Sequence, residues 1–319
     1  MTLFDRQSAF PVAQMVFAAL LWSAPLQAAE PTQPDLAEAD TPATEVAPTF
    51  EIYGGGLHIV SFGTQAVLTP DRYEIAAQFQ TQGVADTLFN GRGSSTASGL
   101  LTPAGPRLLN YSQEYDGRFG ERSIAMVLDE SGRYNVAAKP EDGIHKQGFS
   151  ASIVRGKVDP LTASIFTAIN STAAPCSQTI PVFDGRRIFN LKFKELDQTE
   201  LQPIGAGTYA GPAWRCSVLY DPVAGFTREF LVERAKNPLP PFTIWLARFD
   251  EQMGPSGAQP LVLPVRMMFE TSIVNAIAHL TTAEVDGKAL IQPAINGECL
   301  SRPLFTDQTQ HIRCTLNNV

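Results

Sequence analysis

The stretch Pro175–Phe193, reading PCSQTIPVFDGRRIFNLKF, constrains the fold more than any other part of the chain. It joins an oxidisable cysteine to a strand, a tight Asp184-Gly185 turn and a second strand. Asp-Gly between alternating apolar runs marks a hairpin, because both central positions of a type I′ turn take positive φ. The same grammar recurs elsewhere. Tyr73–Phe79 alternates with period two, as do Ile124/Met126/Leu128 and Phe189/Leu191/Phe193, and turn pairs stand at Asp116-Gly117, Ser131-Gly132 and Asp286-Gly287. Such segments are strands with one face inward and one wet. Further strands are expected at Phe50–Val60, Leu108–Glu114, Arg133–Ala138, Trp214–Tyr220, Thr243–Phe249, Val262–Phe269 and Ile273–Leu280. Pro264 implies an edge or a bulge in its strand, since it cannot donate to a ladder. The chain reads as an antiparallel, meander-like all-β protein.

Helix signals are few. Asp159 can cap a helix, Pro160 suits its first turn, and Leu161, Ile165, Phe166 and Ile169 then share one face, which would cover one side of the sheet. A shorter helical turn is expected near Val84–Phe89. Gly54-Gly55-Gly56 is not a phosphate loop, because no Lys-Ser/Thr follows it and no helix opens after it. It reads as relief for a bend or bulge in the first strand.

The N-terminus has one basic residue, Arg6, an apolar run around Met15–Trp22 and small residues at Ala28-Ala29. That is the layout of a secretory signal peptide over residues 1–28, too short to be retained as a membrane span. Residues 29–49 are acidic, proline-rich and free of Lys and Arg, and read as a disordered linker. Five acids there (Glu30, Asp35, Glu38, Asp40, Glu45) supply most of the formal net charge of −8. The nearly balanced remainder gives no electrostatic reason to bind nucleic acid. Residues 50–269 read as the β domain and 270–319 as a C-terminal β extension.

The cysteines are Cys176, Cys216, Cys299 and Cys314. An even count in an exported chain indicates disulfides, and pairing sequence neighbours, Cys176–Cys216 and Cys299–Cys314, closes the shorter loops. Zinc is the poorer reading, as no C-x-x-C pair is present. His58, His145, His279 and His311 show no H-x-x-x-H or H-E-x-x-H spacing, and no serine sits in a G-x-S-x-G elbow. No catalytic residue, metal ligand or cofactor site is assigned, and a non-enzymatic protein is expected.

Four segments together resemble a known family: Tyr53-Gly-Gly-Gly-Leu57, Asp159-Pro-Leu-Thr162, Pro181-Val-Phe-Asp-Gly-Arg-Arg187 and Tyr220-Asp-Pro-Val-Ala-Gly-Phe226. They are similar to the exported bacterial proteins grouped as domain of unknown function 3108, over roughly Phe50 to Phe269. Thr162 stands where Ser is expected, which keeps a hydroxyl near the helix start. The resemblance implies a periplasmic protein with a strongly curved antiparallel sheet, half-barrel or β-spiral like, with one or two short helices packed on it.

Arg186, Arg187, Lys192 and Lys194 form the one basic cluster of interest. In a regular strand Arg186, Lys192 and Lys194 share a face opposite Arg187. Either they are solvated surface charges, with Arg187 paired to Asp184 or Asp159, or Arg186, Arg187 and Lys192 contact an anion or lipid headgroup at the mouth of the sheet. Two functions follow. The concave sheet binds an apolar or amphipathic envelope component, such as a lipid or a lipoprotein acyl chain, or the protein is a structural or scaffolding factor that binds an envelope protein.

Overall fold

The structure is a computed structural model that describes residues 43–141, 154–166, 174–204, 207–252, 260–270 and 275–291, apart from positions 104, 119 and 165. Its strands are β1 (Thr44–Gly54), β2 (Leu57–Leu68), β3 (Arg72–Thr81), β4 (Arg92–Thr102), β5 (Gly105–Asp116), β6 (Arg122–Leu128) and β7 (Tyr134–Lys139), then β8 (Thr179–Phe183), β9 (Ile188–Leu201), β10 (Gly211–Ala224), β11 (Phe242–Gln252), β12 (Pro260–Phe269), β13 (Ala276–Val285) and β14 (Lys288–Ile291). Three short helices accompany them: α1 (Gly83–Phe89), α2 (Pro160–Ser164) and α3 (Arg228–Lys236). The all-β expectation holds.

The strands make a single antiparallel sheet in the order β7-β6-β5-β4-β3-β2-β1-β13-β12-β11-β10-β9-β8, with β14 paired to β13 off this path. Although β7 and β8 end that order, one core holds both halves together. Ala66, Ile75, Ala97, Leu108, Met126 and Ala138 from β2–β7 share it with Phe183 of β8 and Ile188 of β9. The sheet therefore curves back on itself without closing. The Asp184-Gly185 turn lies against β6, where a Cβ on Gly185 would come within 2.5 Å of Ile124 Cδ1. A second core, with Phe50, Leu201, Ala247, Leu263 and Leu280, fills the region of β1 and β9–β13.

Curvature at β3–β4 has a specific device. Tyr73 and Phe79 stand directly opposite Gly99 and Gly93. A Cβ on Gly93 would come 2.2 Å from the Phe79 ring, and one on Gly99 2.5 Å from the Tyr73 hydroxyl. The aromatic rings lie over bare backbone, recovering packing that glycine alone lacks.

Several expectations need correcting. The linker does not run to residue 49, since β1 begins at Thr44 and its inward positions, Val46, Pro48 and Phe50, are buried. Acids and prolines hide a period-two strand here, and the register shift between Thr49 and Phe50 follows Pro48, which has no N–H to give. Phe50–Val60 is not one bent strand: Gly55 (φ 59) and Gly56 (φ 85) form the two-residue turn of the β1–β2 hairpin. Nor does the sheet end near residue 269. β13 lies between β1 and β12, in the middle of the strand order. Pro264 does mark a bulge, with the register shifting between its partner Leu246 and Trp245. Residues 1–42 and 292–319 lie outside the described residues, so the signal peptide, most of the linker, and Cys299 and Cys314 do too.

Candidate functional site

The inner face of the curve is occupied by α2. Asp159 is fully buried, and its Oδ1 accepts hydrogen bonds from the backbone N–H groups of Leu161 and Thr162, both at 2.9 Å. Thr162 Oγ1 donates to the same carboxylate at 2.5 Å and lies 3.4 Å from the Tyr73 hydroxyl. This is an N-cap held in place by its neighbours, and Pro160 takes the first helical position, as the sequence predicts. Leu161, Thr162 and Ala163 are buried beneath it. Burial raises the Asp159 carboxyl to about 6 against the pull of its hydrogen bonds, and burial likewise raises the Tyr111 hydroxyl. Beside α2, a cleft lined by Phe62, Phe79, Tyr111, Leu161 and Ser164 offers about 40 Å³. Binding pockets for drug-sized ligands hold roughly 300–1,000 Å³.

The basic cluster does not converge on an anion site. Arg186 Nη2 donates to the Pro140 carbonyl at 2.9 Å, the Arg187 guanidinium lies 5.6 Å over the Phe226 ring, and Lys192 Nζ pairs with Asp221 at 2.7 Å. Asp184 receives the backbone N–H groups of Arg186 (2.8 Å) and Arg187 (2.6 Å). The turn is therefore built on the aspartate side chain, with positive φ at Gly185 alone, whereas Asp286-Gly287 has positive φ at both positions. Cys176 and Cys216 form the expected disulfide, with both residues fully buried.

A different polar array was not singled out in the sequence. Ser61 of β2 stands opposite Glu51 of β1, Glu51 opposite His279 of β13, His279 opposite Arg266 of β12, and Arg266 opposite Trp245 of β11. Trp245 in turn faces Arg215, which faces Asp197. Directly opposed residues share a face of a sheet, so these seven form one seam across seven strands. At one end Arg215 and Asp197 form an ion pair. At the other, Glu51 pairs with His58 and accepts from Ser61 Oγ at 2.6 Å, while Tyr53 packs its ring 5.2 Å from His58 and 6.1 Å from His279. Glu51 raises the His58 pKa; burial, with Arg266 nearby, lowers that of His279 to about 4.

Ser61, His58 and Glu51 are not a hydrolase relay. Ser61 Oγ lies 3.4 Å from His58 Nε2, the same nitrogen that meets the Glu51 carboxylate. A relay needs the acid on the opposite ring nitrogen, leaving this one to take the serine proton. Among the described residues no group of three or more His, Cys, Asp or Glu is placed to hold a metal, and no helix is long and apolar enough to cross a membrane. Linear motif spacing could not reveal the seam, because cross-strand register brings together residues as far apart as 51 and 279. The only local signal was the polar side chain on alternate positions of otherwise apolar strands.

The profile of the family described as "Protein of unknown function (DUF3108)" matches residues 49–281. No curated protein matches the chain. A solved structure that matches is titled "Crystal Structure of Beta-barrel-like Protein of Domain of Unknown Function DUF1849 from Brucella abortus", with 9% identity over 76% of this chain and 97% of that one, at a TM-score of 0.39.

Proposed function

We propose, from the premise that the chain belongs to the DUF3108 family, that it is a non-enzymatic, exported cell-envelope protein that acts as a scaffolding factor, binding a protein partner on its outer surface. The observation that carries this reading is the filled inner face: α2 and its buried side chains leave about 40 Å³ beside them. An acyl chain needs several times that space, so this cleft does not support the lipid-carrier alternative. Export is supported by the signal-like N-terminus and by a disulfide, which persists in oxidising compartments.

A surface suited to a partner lies on the outside. α3 buries none of its residues, and Leu231 and Val232 on it are exposed, as are Leu219 and Val223 of β10. Phe226 and Phe230 stack at 5.0 Å, with Arg187 and Arg234 over their rings. Aromatic residues and arginines beside exposed aliphatics are the composition of protein interfaces. In-cell cross-linking of wild type and a Leu231→Glu/Val232→Glu double variant tests the reading. A discrete cross-linked partner, lost in the variant at unchanged melting temperature, is expected; an identical cross-link pattern in both contradicts it.

A further inference from the structure

Arg266 and His279 are 9% and 4% exposed, yet the nitrogens they hold inside the protein are not all used. Arg266 Nη2 donates to the Gln202 carbonyl at 3.0 Å, whereas Arg266 Nε and His279 Nδ1 are buried with no hydrogen-bond partner. Among the described residues Arg266 has no carboxylate partner. The two acids of the same seam are engaged elsewhere, Glu51 by His58 and Ser61 and Asp197 by Arg215. A guanidinium stays charged at any physiological pH, so burying it without a counter-charge is strongly unfavourable. Buried unsatisfied polar groups in native proteins call for a specific cause, and an absent ion is one.

The surroundings suit an anion. The Trp245 ring lies 5.8 Å from the Arg266 guanidinium and walls one side, and the opposed position on the next strand is His279. Nη2 gives an N–H to Gln202 while Nε gives none, so the Nε–H remains for an oxygen ligand of the carboxylate or phosphate kind that arginine binds. The far end of the seam is half-exposed at Tyr53 and His58. We propose that Arg266 and His279 form a binding site for a monoanionic oxyanion, a carboxylate or a phosphodiester, held by the guanidinium edge with the imidazole as a second donor.

A pH signature accompanies the site. Without the anion, burial and the Arg266 charge keep His279 neutral. A bound anion reverses that balance, so binding takes up a proton and tightens as pH falls. Among the described residues the charged or titratable groups set against His279 are Glu51 and Tyr53 of β1 and Arg266 of β12, with His58 of β2 on the other side of Tyr53. His58 is a second imidazole, its pKa raised by Glu51, which makes a His279 variant the necessary control.

The test is thermal denaturation of the full chain in sodium acetate or sodium dimethyl phosphate, against sodium chloride at equal ionic strength. One or both anions should raise the melting temperature with the logarithm of concentration, by about 3–5 °C for each tenfold increase beyond the dissociation constant. The rise should be larger at pH 5.5 than at pH 8. Arg266→Met should abolish it, and His279→Gln should keep the pH 8 response while losing its growth at pH 5.5. A response to acetate alone assigns a carboxylate ligand; one to dimethyl phosphate alone assigns a headgroup-like phosphodiester. No rise beyond the sodium chloride control with either anion, or an Arg266→Met response equal to wild type, overturns the proposal. If Arg266→Met does not fold, NMR titration of His279 in the wild type decides. A ring pKa raised by the anion supports the site, and an unmoved one overturns it.

Discussion

Asp159 shows how a residue can be legible in sequence for one role and hidden in another. Its capping role follows from its place before Pro160, but its complete burial depends on strands far away in the chain. Burial raises its carboxyl from 3.8 to about 6. A raised folded-state pKa stabilises the protein fully below the unfolded value, and that stability is lost as pH climbs through the folded one. Asp159 should therefore cost about 3 kcal/mol between pH 4 and pH 7. Asp159→Asn keeps the cap acceptor and removes the charge. Urea titrations at these pH values should show the variant gaining on wild type as pH rises; a constant difference would refute the buried-carboxylate account. The Glu51–His58 pair also favours low pH, because His58 is raised by its acid and its contribution fades as pH rises through that pKa. Arg187, by contrast, is expected either as a solvated charge paired to an acid or as an anion contact, and it is exposed with its guanidinium over Phe226. Arg187→Ala should fold normally, with a stability change of about 1 kcal/mol or less in chemical denaturation.

At the scale of elements, the hairpins built on Asp-Gly, the capped α2 and the bulge at Pro264 were all readable, because each is decided by neighbours in sequence. β1 is hidden at its start because composition outweighs alternation, and β4 carries no strand signal because it is rich in Gly, Ser, Thr and Ala, with the rings of Tyr73 and Phe79 lying over its Gly99 and Gly93. The place of β13 between β1 and β12 is a long-range fact that no local pattern contains. It yields a clear expectation: a chain ending at Phe269 loses the strand joining the two halves of the sheet and should fail to give a cooperative melt by circular dichroism, whereas a peripheral extension could be removed with little effect. The Cys176–Cys216 bridge links the segment before β8 to β10 across a sequence separation of 40. Replacing both cysteines with serine should lower stability by about 4 kcal/mol in the loop-closure account, measured by urea denaturation. Equal midpoints for the variant and the oxidised wild type would contradict it.

For the whole molecule, curvature alone did not decide function. The family resemblance implied a concave sheet, and a concave sheet suggested a guest. In the described structure α2 packs against β3, β4 and β8. Whether the concavity was empty turned on how deeply a single turn of helix is buried, which depends on packing rather than periodicity. The seam from Ser61 to Asp197 was equally invisible, since it exists only once seven strands are in register. The central claim is that the protein binds at its surface and carries no cargo inside. Native mass spectrometry of the protein purified from the bacterial envelope fraction without detergent, followed by lipid extraction, tests it directly. The account predicts the mass of the polypeptide alone, with its disulfide formed, and no stoichiometric lipid in the extract. A reproducible, near-equimolar lipid that survives purification would contradict it and restore the carrier reading.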